Sequence, residues 1–262
     1  MDLGLSGKSV IVCASSAGLG KAAALEFVRE GANVMLASTK EASLRQAADD
    51  IQAATGREPK FTVADMTKAD DITRLVEATV AAYGGVYTLV NNTGGPPAGL
   101  FEQFDDAAWQ KAFELNLLSY VRTIRAALPH LRESGGGRIV NFTSTSVKSP
   151  LDNLILSNVF RTGVLGLSKT LASELGPNGI LVNVVGPGRI QTNRITHLDT
   201  MRAGTAGVSI EQIRTESAKA IPLGRYGEPD EMARLAVFLG SPANTYSTGQ
   251  TILVDGGMVK AY

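Results

Sequence analysis

Cysteine is almost absent from this chain: Cys13 is the only one among 262 residues. No internal disulfide can form, so the chain suits a reducing compartment, and a cytoplasmic setting is expected. Histidine is nearly as scarce. His130 and His197 stand far apart and form no His/Cys cluster, so no metal site is expected. Excess charge of either sign is missing as well. Lys plus Arg number 25 and Asp plus Glu number 25, so no global field draws nucleic acid or an anionic membrane, and neither is an expected partner. A long apolar run is also lacking. The uncharged stretch from Thr79 to Phe101 is interrupted by Gly84, Gly85, Asn91, Asn92 and Pro96-Pro97, which excludes a membrane span there. Met1-Asp2-Leu3-Gly4 puts no basic segment ahead of an apolar one, so no secretory signal is expected.

The residues that are present describe a folded globular protein, with 44% hydrophobic and 19% charged side chains. Glycine is abundant at 28 residues, a sign of tight turns and close backbone approaches. Short apolar runs at Ser9–Ala14, Asn33–Ser38, Phe61–Ala64, Val86–Asn91, Arg138–Thr143, Ile180–Val185 and Thr251–Val254 read as seven strands. Longer amphipathic stretches at Lys21–Glu30, Glu41–Ala54, Asp70–Tyr83, Asp105–Arg132 and Leu156–Leu175 read as the helices between them. This rhythm predicts an α/β fold with a mostly parallel sheet and helices on both faces. No linker or repeat divides the chain, so one domain is expected over 1–262. The polar stretch from Gln191 to Ala220 (191–220) looks like an excursion from the core, and such excursions often cover a site.

The first strand runs into Ala14-Ser15-Ser16-Ala17-Gly18-Leu19-Gly20, with a helix directly after it. Glycines there let backbone N–H groups approach a pyrophosphate at the helix N-terminus, where the dipole favours negative charge. An ordinary strand-to-helix turn is the plainer reading of two glycines. After the second strand comes Ala37-Ser38-Thr39-Lys40. An NAD site usually places an acid here for the ribose 2′-hydroxyl. This chain has a lysine instead, which favours NADP(H) over NAD(H) unless Lys40 is simply a solvated residue of the first helical turn.

On these residues the chain resembles the short-chain dehydrogenase/reductase family, over nearly its whole length from Leu5 to Gly257. Gly18 and Gly20 match the family's glycine motif, while Cys13 and Ala14 stand at its Thr-Gly positions. Asp65, with Met66 beside it, matches the adenine-contacting Asp. Asn91-Asn92-Thr93-Gly94 resembles Asn-Asn-Ala-Gly, Asn116 matches the structural Asn of the catalytic tetrad, and Ser144 matches the substrate-orienting Ser. Pro187-Gly188-Arg189-Ile190-Gln191-Thr192 resembles the nicotinamide-side motif. Pro222-Leu223-Gly224-Arg225, Gly227-Glu228-Pro229 and Val254-Asp255-Gly256-Gly257 resemble the 3-oxoacyl-acyl-carrier-protein reductase branch. The resemblance implies a Rossmann-type doubly wound single domain and a cofactor held by Ser15, Ser16, Gly18, Leu19, Gly20, Ser38, Thr39, Lys40, Asp65, Met66, Asn92, Gly94, Arg161, Ile190 and Thr192. It also implies a small-molecule substrate and a homotetramer built through the two long helices.

One departure concerns the chemistry. The family has Tyr-x3-Lys about thirteen residues after the Ser. Here those positions hold Ser157 and Arg161, and no tyrosine lies between Tyr120 and Tyr226. A phenol ionises near pKa ~10, an aliphatic alcohol far higher, and arginine stays protonated. Loss of a positioned acid/base typically costs ~10²–10⁴-fold in rate. Asn116, Ser144, Ser157 and Arg161 are thus the expected catalytic group, with Lys148 or His197 as substitute proton carriers. Three readings follow: an NADP(H)-dependent oxidoreductase of the 3-oxoacyl-reductase type with an altered proton path, a catalytically impaired nucleotide- or ligand-binding protein on the same fold, or an enzyme of non-redox chemistry such as elimination or hydration.

Overall fold

Alternation along the strands sorts the side chains into two cores. In β1 (Ser9–Cys13), Val10 and Val12 point to one side, Ile11 and Cys13 to the other, and all are buried. The computed structural model describes residues 2–261, so the ends of the expected 1–262 domain, Met1 and Tyr262, lie outside the described residues. β2 (Asn33–Ser38) repeats the pattern, with Val34 and Leu36 in the first core and Met35 and Ala37 in the second. The first core is covered by α1 (Gly18–Arg29), α2 (Glu41–Thr55) and α9 (Pro229–Leu239). The second is covered by α3 (Ala69–Tyr83), α5 (Ser119–Glu133) and α6 (Ile155–Leu175).

β3 (Lys60–Val63), β4 (Thr88–Asn91), β5 (Gly137–Phe142), β6 (Ile180–Pro187) and β7 (Thr251–Val254) complete a single seven-stranded sheet of order β3-β2-β1-β4-β5-β6-β7. Every pairing is parallel, with Val12 opposite Val90 and Phe142 opposite Val185 in register. Strand order reverses between β1 and β4, where an open α/β sheet leaves a crevice at its carboxyl end.

Two local outcomes differ from the sequence expectations. The helix expected over Asp105–Arg132 is α4 (Asp106–Phe113), a wide-turn π segment (Glu114–Leu118) and then α5. Asp105 caps its start by accepting the Ala108 N–H at 2.9 Å. π segments sit often at functional sites, and this one contains Asn116. The helix α9 was not anticipated, although Pro229 at its first turn and the Glu231 carboxylate accepting the Glu228 N–H at 2.7 Å make a good helix start. The excursion at 191–220 folds into α7 (Asn193–Ala206) and α8 (Ile210–Lys219). Among the described residues, no helix is long and apolar enough to cross a membrane.

Candidate active site

The loops leaving the carboxyl ends of β1, β4, β5 and β6 open into one cavity of about 540 Å³, closed on its far side by α6 and α7. Gly18 and Leu19 form part of its wall. Gly18 has φ +56°, and Ala14, though not a glycine, has φ +48°. At Gly20 a Cβ would lie 2.3 Å from the Ala14 carbonyl oxygen, so only glycine lets α1 start this close to the strand. The N-terminus of α1 has no side-chain cap and no acidic residue in its first turn. Its first N–H groups lack a side-chain partner, and an anion is favoured there.

Ser15 stands apart from the cavity wall. It is fully buried; its hydroxyl donates to the Val12 carbonyl at 2.8 Å and accepts the Ala37 N–H at 3.0 Å. It ties β1 to β2, so its hydroxyl is engaged within the protein beside the glycine turn. Ser16 donates to the Ser38 hydroxyl at 3.0 Å and links the glycine turn to the end of β2. Thr39 and Lys40 are exposed where α2 begins, also without a side-chain cap. Asp65 follows β3 and accepts the Thr67 N–H at 2.9 Å and its hydroxyl at 2.7 Å; Met66 beside it is buried. These residues share the carboxyl edge of the sheet with the cavity but do not line it.

Ser144, Ser157 and Arg161 do line it. Ser144 heads the short 3-10 turn Thr145–Val147 and accepts the Ser146 N–H at 3.1 Å. Ser157 and Arg161 lie one turn apart on α6, 7% and 8% exposed. Arg161 Nη1 donates to the Phe142 carbonyl at 3.3 Å, and the Tyr120 hydroxyl donates to that same carbonyl at 2.7 Å. Burial pushes the Tyr120 phenol above its ordinary pKa despite the opposing pull of the Arg161 charge, so the phenol is neutral at physiological pH.

Asn116 lies beneath the cavity. Its Nδ2 donates to Thr93 Oγ1 at 3.0 Å and to the Gly94 carbonyl at 2.8 Å, while its buried Oδ1 has no partner. Thr93 and Gly94 are thereby braced from below, while Asn92 reaches the Ala14 carbonyl from Nδ2 at 3.4 Å. Asn92, Gly94, Ile190 and Thr192 all face the cavity. Thr192 accepts the Ile195 N–H at 3.3 Å and so caps α7.

Neither substitute proton carrier reaches the wall. Lys148 is exposed at the end of the 3-10 turn, and His197 is exposed on α7. His130 pairs with Glu133 at 3.0 Å, remote from the cavity. Cys13 is wholly buried, which pushes its thiol up to about 12, so it behaves as a small apolar side chain. Trp109 packs edge-on against Phe101 and Phe160, with ring centroids 6.1 and 5.8 Å away, outside the cavity.

Three contributors escaped sequence reasoning. Tyr120 lies under Arg161, Thr143 lines the cavity with a buried hydroxyl lacking a partner, and Arg194 reaches from α7 to the Pro96 carbonyl at 2.8 Å. Arg194 follows Thr192 by two residues, so the motif brought attention to its edge; the direction of its side chain is a tertiary fact. Asp199, fully buried on α7, accepts from Arg189 at 2.7 Å and from Tyr226 at 3.0 Å and anchors the excursion.

The chain is similar to known proteins over nearly its whole length. Residues 13–259 match the family model described as enoyl-(acyl carrier protein) reductase. The chain is 32% identical over 254 residues to a 3-oxoacyl-acyl-carrier-protein reductase of Chlamydia muridarum, covering 97% of this chain and 98% of that protein. It is 34% identical over 257 residues to dehydrogenase/reductase SDR family member 4 of Homo sapiens, covering 97% and 88%. The structure of L-sorbose reductase from Gluconobacter frateurii, complexed with NADPH and L-sorbose, superposes with a TM-score of 0.95 at 32% identity, covering 100% of both chains.

Proposed function

The chain belongs to the short-chain dehydrogenase/reductase family, and from that premise we propose that it is an NADP(H)-dependent oxidoreductase acting on a carbonyl/alcohol substrate, with an altered proton-transfer group. The observation that carries this reading is the uncapped N-terminus of α1 opening onto the same cavity as Ser144, Ser157 and Arg161. The residues present fit a dinucleotide. The N–H groups of the turn Ser16–Gly20 would take the pyrophosphate, and Asp65 and Met66 the adenine. Asn92, Gly94 and Arg161 would meet the ribose, and Ile190 and Thr192 the carboxamide. Ser38, Thr39 and Lys40 offer hydroxyls and a cation but no carboxylate, which supports NADP(H) over NAD(H). The similar L-sorbose reductase, which binds NADPH, adds support.

When bound, a reduced nicotinamide supplies hydride. This chain must orient the carbonyl and deliver a proton to its oxygen. The Ser144 hydroxyl, which lines the cavity, would donate a hydrogen bond there. Arg161, permanently charged, stabilises developing negative charge on that oxygen but gives up no proton. Ser157 passes on a solvent proton as a relay, since its own hydroxyl is too weak an acid to hold the role of a phenol. Slow turnover follows. α7 and α8, across 191–220, serve as the substrate lid. The single buried thiol supports a cytoplasmic setting, and the partly exposed aromatic face of α4 and α6 supports a homotetramer.

The second reading, a nucleotide- or ligand-binding protein without redox activity, draws on the absence of tyrosine and lysine among the described residues that line the cavity. Calorimetric titration with NADPH and NADH, followed by absorbance assays with ketones, aldehydes and 3-oxoacyl thioesters, separates the two. NADPH is expected to bind at micromolar concentration and more tightly than NADH, with measurable hydride transfer. Tight binding with no transfer to any of them leaves the second reading; tighter NADH binding overturns the 2′-phosphate assignment.

A further inference from the structure

The cavity wall carries three guanidinium groups, Arg161, Arg189 and Arg194, and no carboxylate among the described residues that line it. Arg189 has its counterion in Asp199, 2.7 Å away. Arg161 has none: its neighbours Ser144, Ser157, the neutral Tyr120 phenol and the Phe142 carbonyl carry no negative charge. It is 8% exposed, its hydrogen bond to the Phe142 carbonyl spans 3.3 Å, and its other protein partner is the neutral Tyr120 hydroxyl. Arg194 lies across the mouth, with Nη2 on the Pro96 carbonyl and 3.2 Å from where a Cβ on Gly95 would sit. Burial, and then the like charge of Arg161, lower the Arg194 pKa from its ordinary value. Arg161 is buried and Arg194 stands exposed at the mouth beside it; a buried cation that faces a second cation and no anion is costly unless a ligand supplies the negative charge.

We propose that the cavity is built for an organic acid, whose carboxylate is received by Arg161 and Arg194. The opposite requirement is met by Leu151, Leu154, Leu198 and Met258, which line the same space and suit a short apolar body. The substrate class is thus an oxo or hydroxy acid, a statement that rests on the oxidoreductase reading. The competing source of negative charge is the cofactor's own phosphates. The free N–H groups of α1 already answer that charge at the glycine turn, and ribose hydroxyls, being neutral, do not compensate Arg161.

The test uses a redox-inert pair that differs in charge and hardly in shape, hexanoate and hexanamide, titrated into the full chain saturated with NADP⁺. Hexanoate is expected to bind at least about tenfold more tightly, the scale of a charge-assisted hydrogen bond. Arg161→Gln and Arg194→Gln should each bring the ratio to about three or less, while Arg161→Lys, which keeps the charge, retains most of it. That lysine variant separates lost charge from a collapsed cavity. NADPH affinity is measured on the same variants. Equal binding of acid and amide to the unaltered chain, or no binding of either, overturns the proposal and leaves the oxidoreductase reading standing if NADPH binds. An unchanged ratio in both glutamine variants also overturns it whatever their NADPH affinity, since Arg161 already meets the ribose in the oxidoreductase reading. Should NADPH fail to bind at all, the same titration without nucleotide still decides: a preserved acid preference supports the carboxylate site while the oxidoreductase reading falls.

Discussion

Ala14 holds a left-handed backbone, φ +48°, at the position where the family resemblance has glycine. A side chain there costs about 1–2 kcal/mol, and glycine forfeits about 0.5–1 kcal/mol through the entropy of the unfolded chain. Ala14→Gly should therefore stabilise the fold by about 0.5–1 kcal/mol, or about 2 °C in Tm for a chain of this size. A thermal melt of the two proteins side by side checks it; a lower Tm in the variant would show that the Ala14 methyl group makes compensating contacts. The residue types were legible at this scale. Gly18, Gly20, Ser144 and Thr192 announced themselves by spacing, and each stands at the carboxyl edge of the sheet. Ser15 did not separate from its neighbours in sequence, because whether a hydroxyl faces a ligand or an adjacent strand depends on β2 passing beside β1.

Among the elements, α7 is anchored by one fully buried carboxylate. The Asp199 carboxylate is fully buried and joins Arg189, the Tyr226 hydroxyl and, at 3.9 Å, Arg214 of α8. Removing its charge leaves these donors facing a neutral group, a loss of up to about 3 kcal/mol given that Arg189 is partly exposed. Asp199→Asn should speed hydrogen exchange and proteolysis across 193–219 while the sheet keeps its protection. Uniform loosening of the whole molecule would instead make Asp199 part of the global core. The sequence displayed this region only as a polar excursion, since its helices close on Arg189, just after β6, and on Tyr226, before α9. The π segment at Asn116 was hidden for a similar reason. Its widened turn serves contacts to Thr93 and Gly94, which lie more than twenty residues earlier.

For the whole molecule, acid sensitivity follows from a surface pair. Two hydrogen bonds from Arg225 and one from the Glu228 N–H hold the Glu231 carboxyl below its ordinary 4.5, at about 2. A depressed folded-state pKa gives stability that is fully present above 4.5 and is lost as pH falls from there through about 2. Urea melts across that range should show the loss, and Glu231→Gln should flatten its share of it; an unchanged acid limb would exclude this pair. Assembly belongs to the same scale. Leu100, Phe101 and Val159 are 57%, 68% and 44% exposed near Trp109 and Phe160, an apolar face on and just before the helices expected to form the tetramer. Light scattering at micromolar concentration should give four times the chain mass, and a monomer mass would remove the tetramer.

The sequence by itself determined the class of the fold and the edge on which its site lies. Strand alternation and the glycine turn are local properties, carried by residues within a few positions of one another. It also displayed Ser157 and Arg161 as a pair one helical turn apart, because i and i+4 share a face. Only the tertiary structure decided what surrounds that pair. Tyr120 comes from α5, Phe142 from β5 and Arg194 from α7, and their approach to one cavity depends on parallel strands bringing distant loops to a common end. The charge balance of the site was likewise invisible along the chain. The chain is neutral as a whole, yet its acids lie elsewhere, and Arg161 and Arg194 meet in the cavity without one among the described residues.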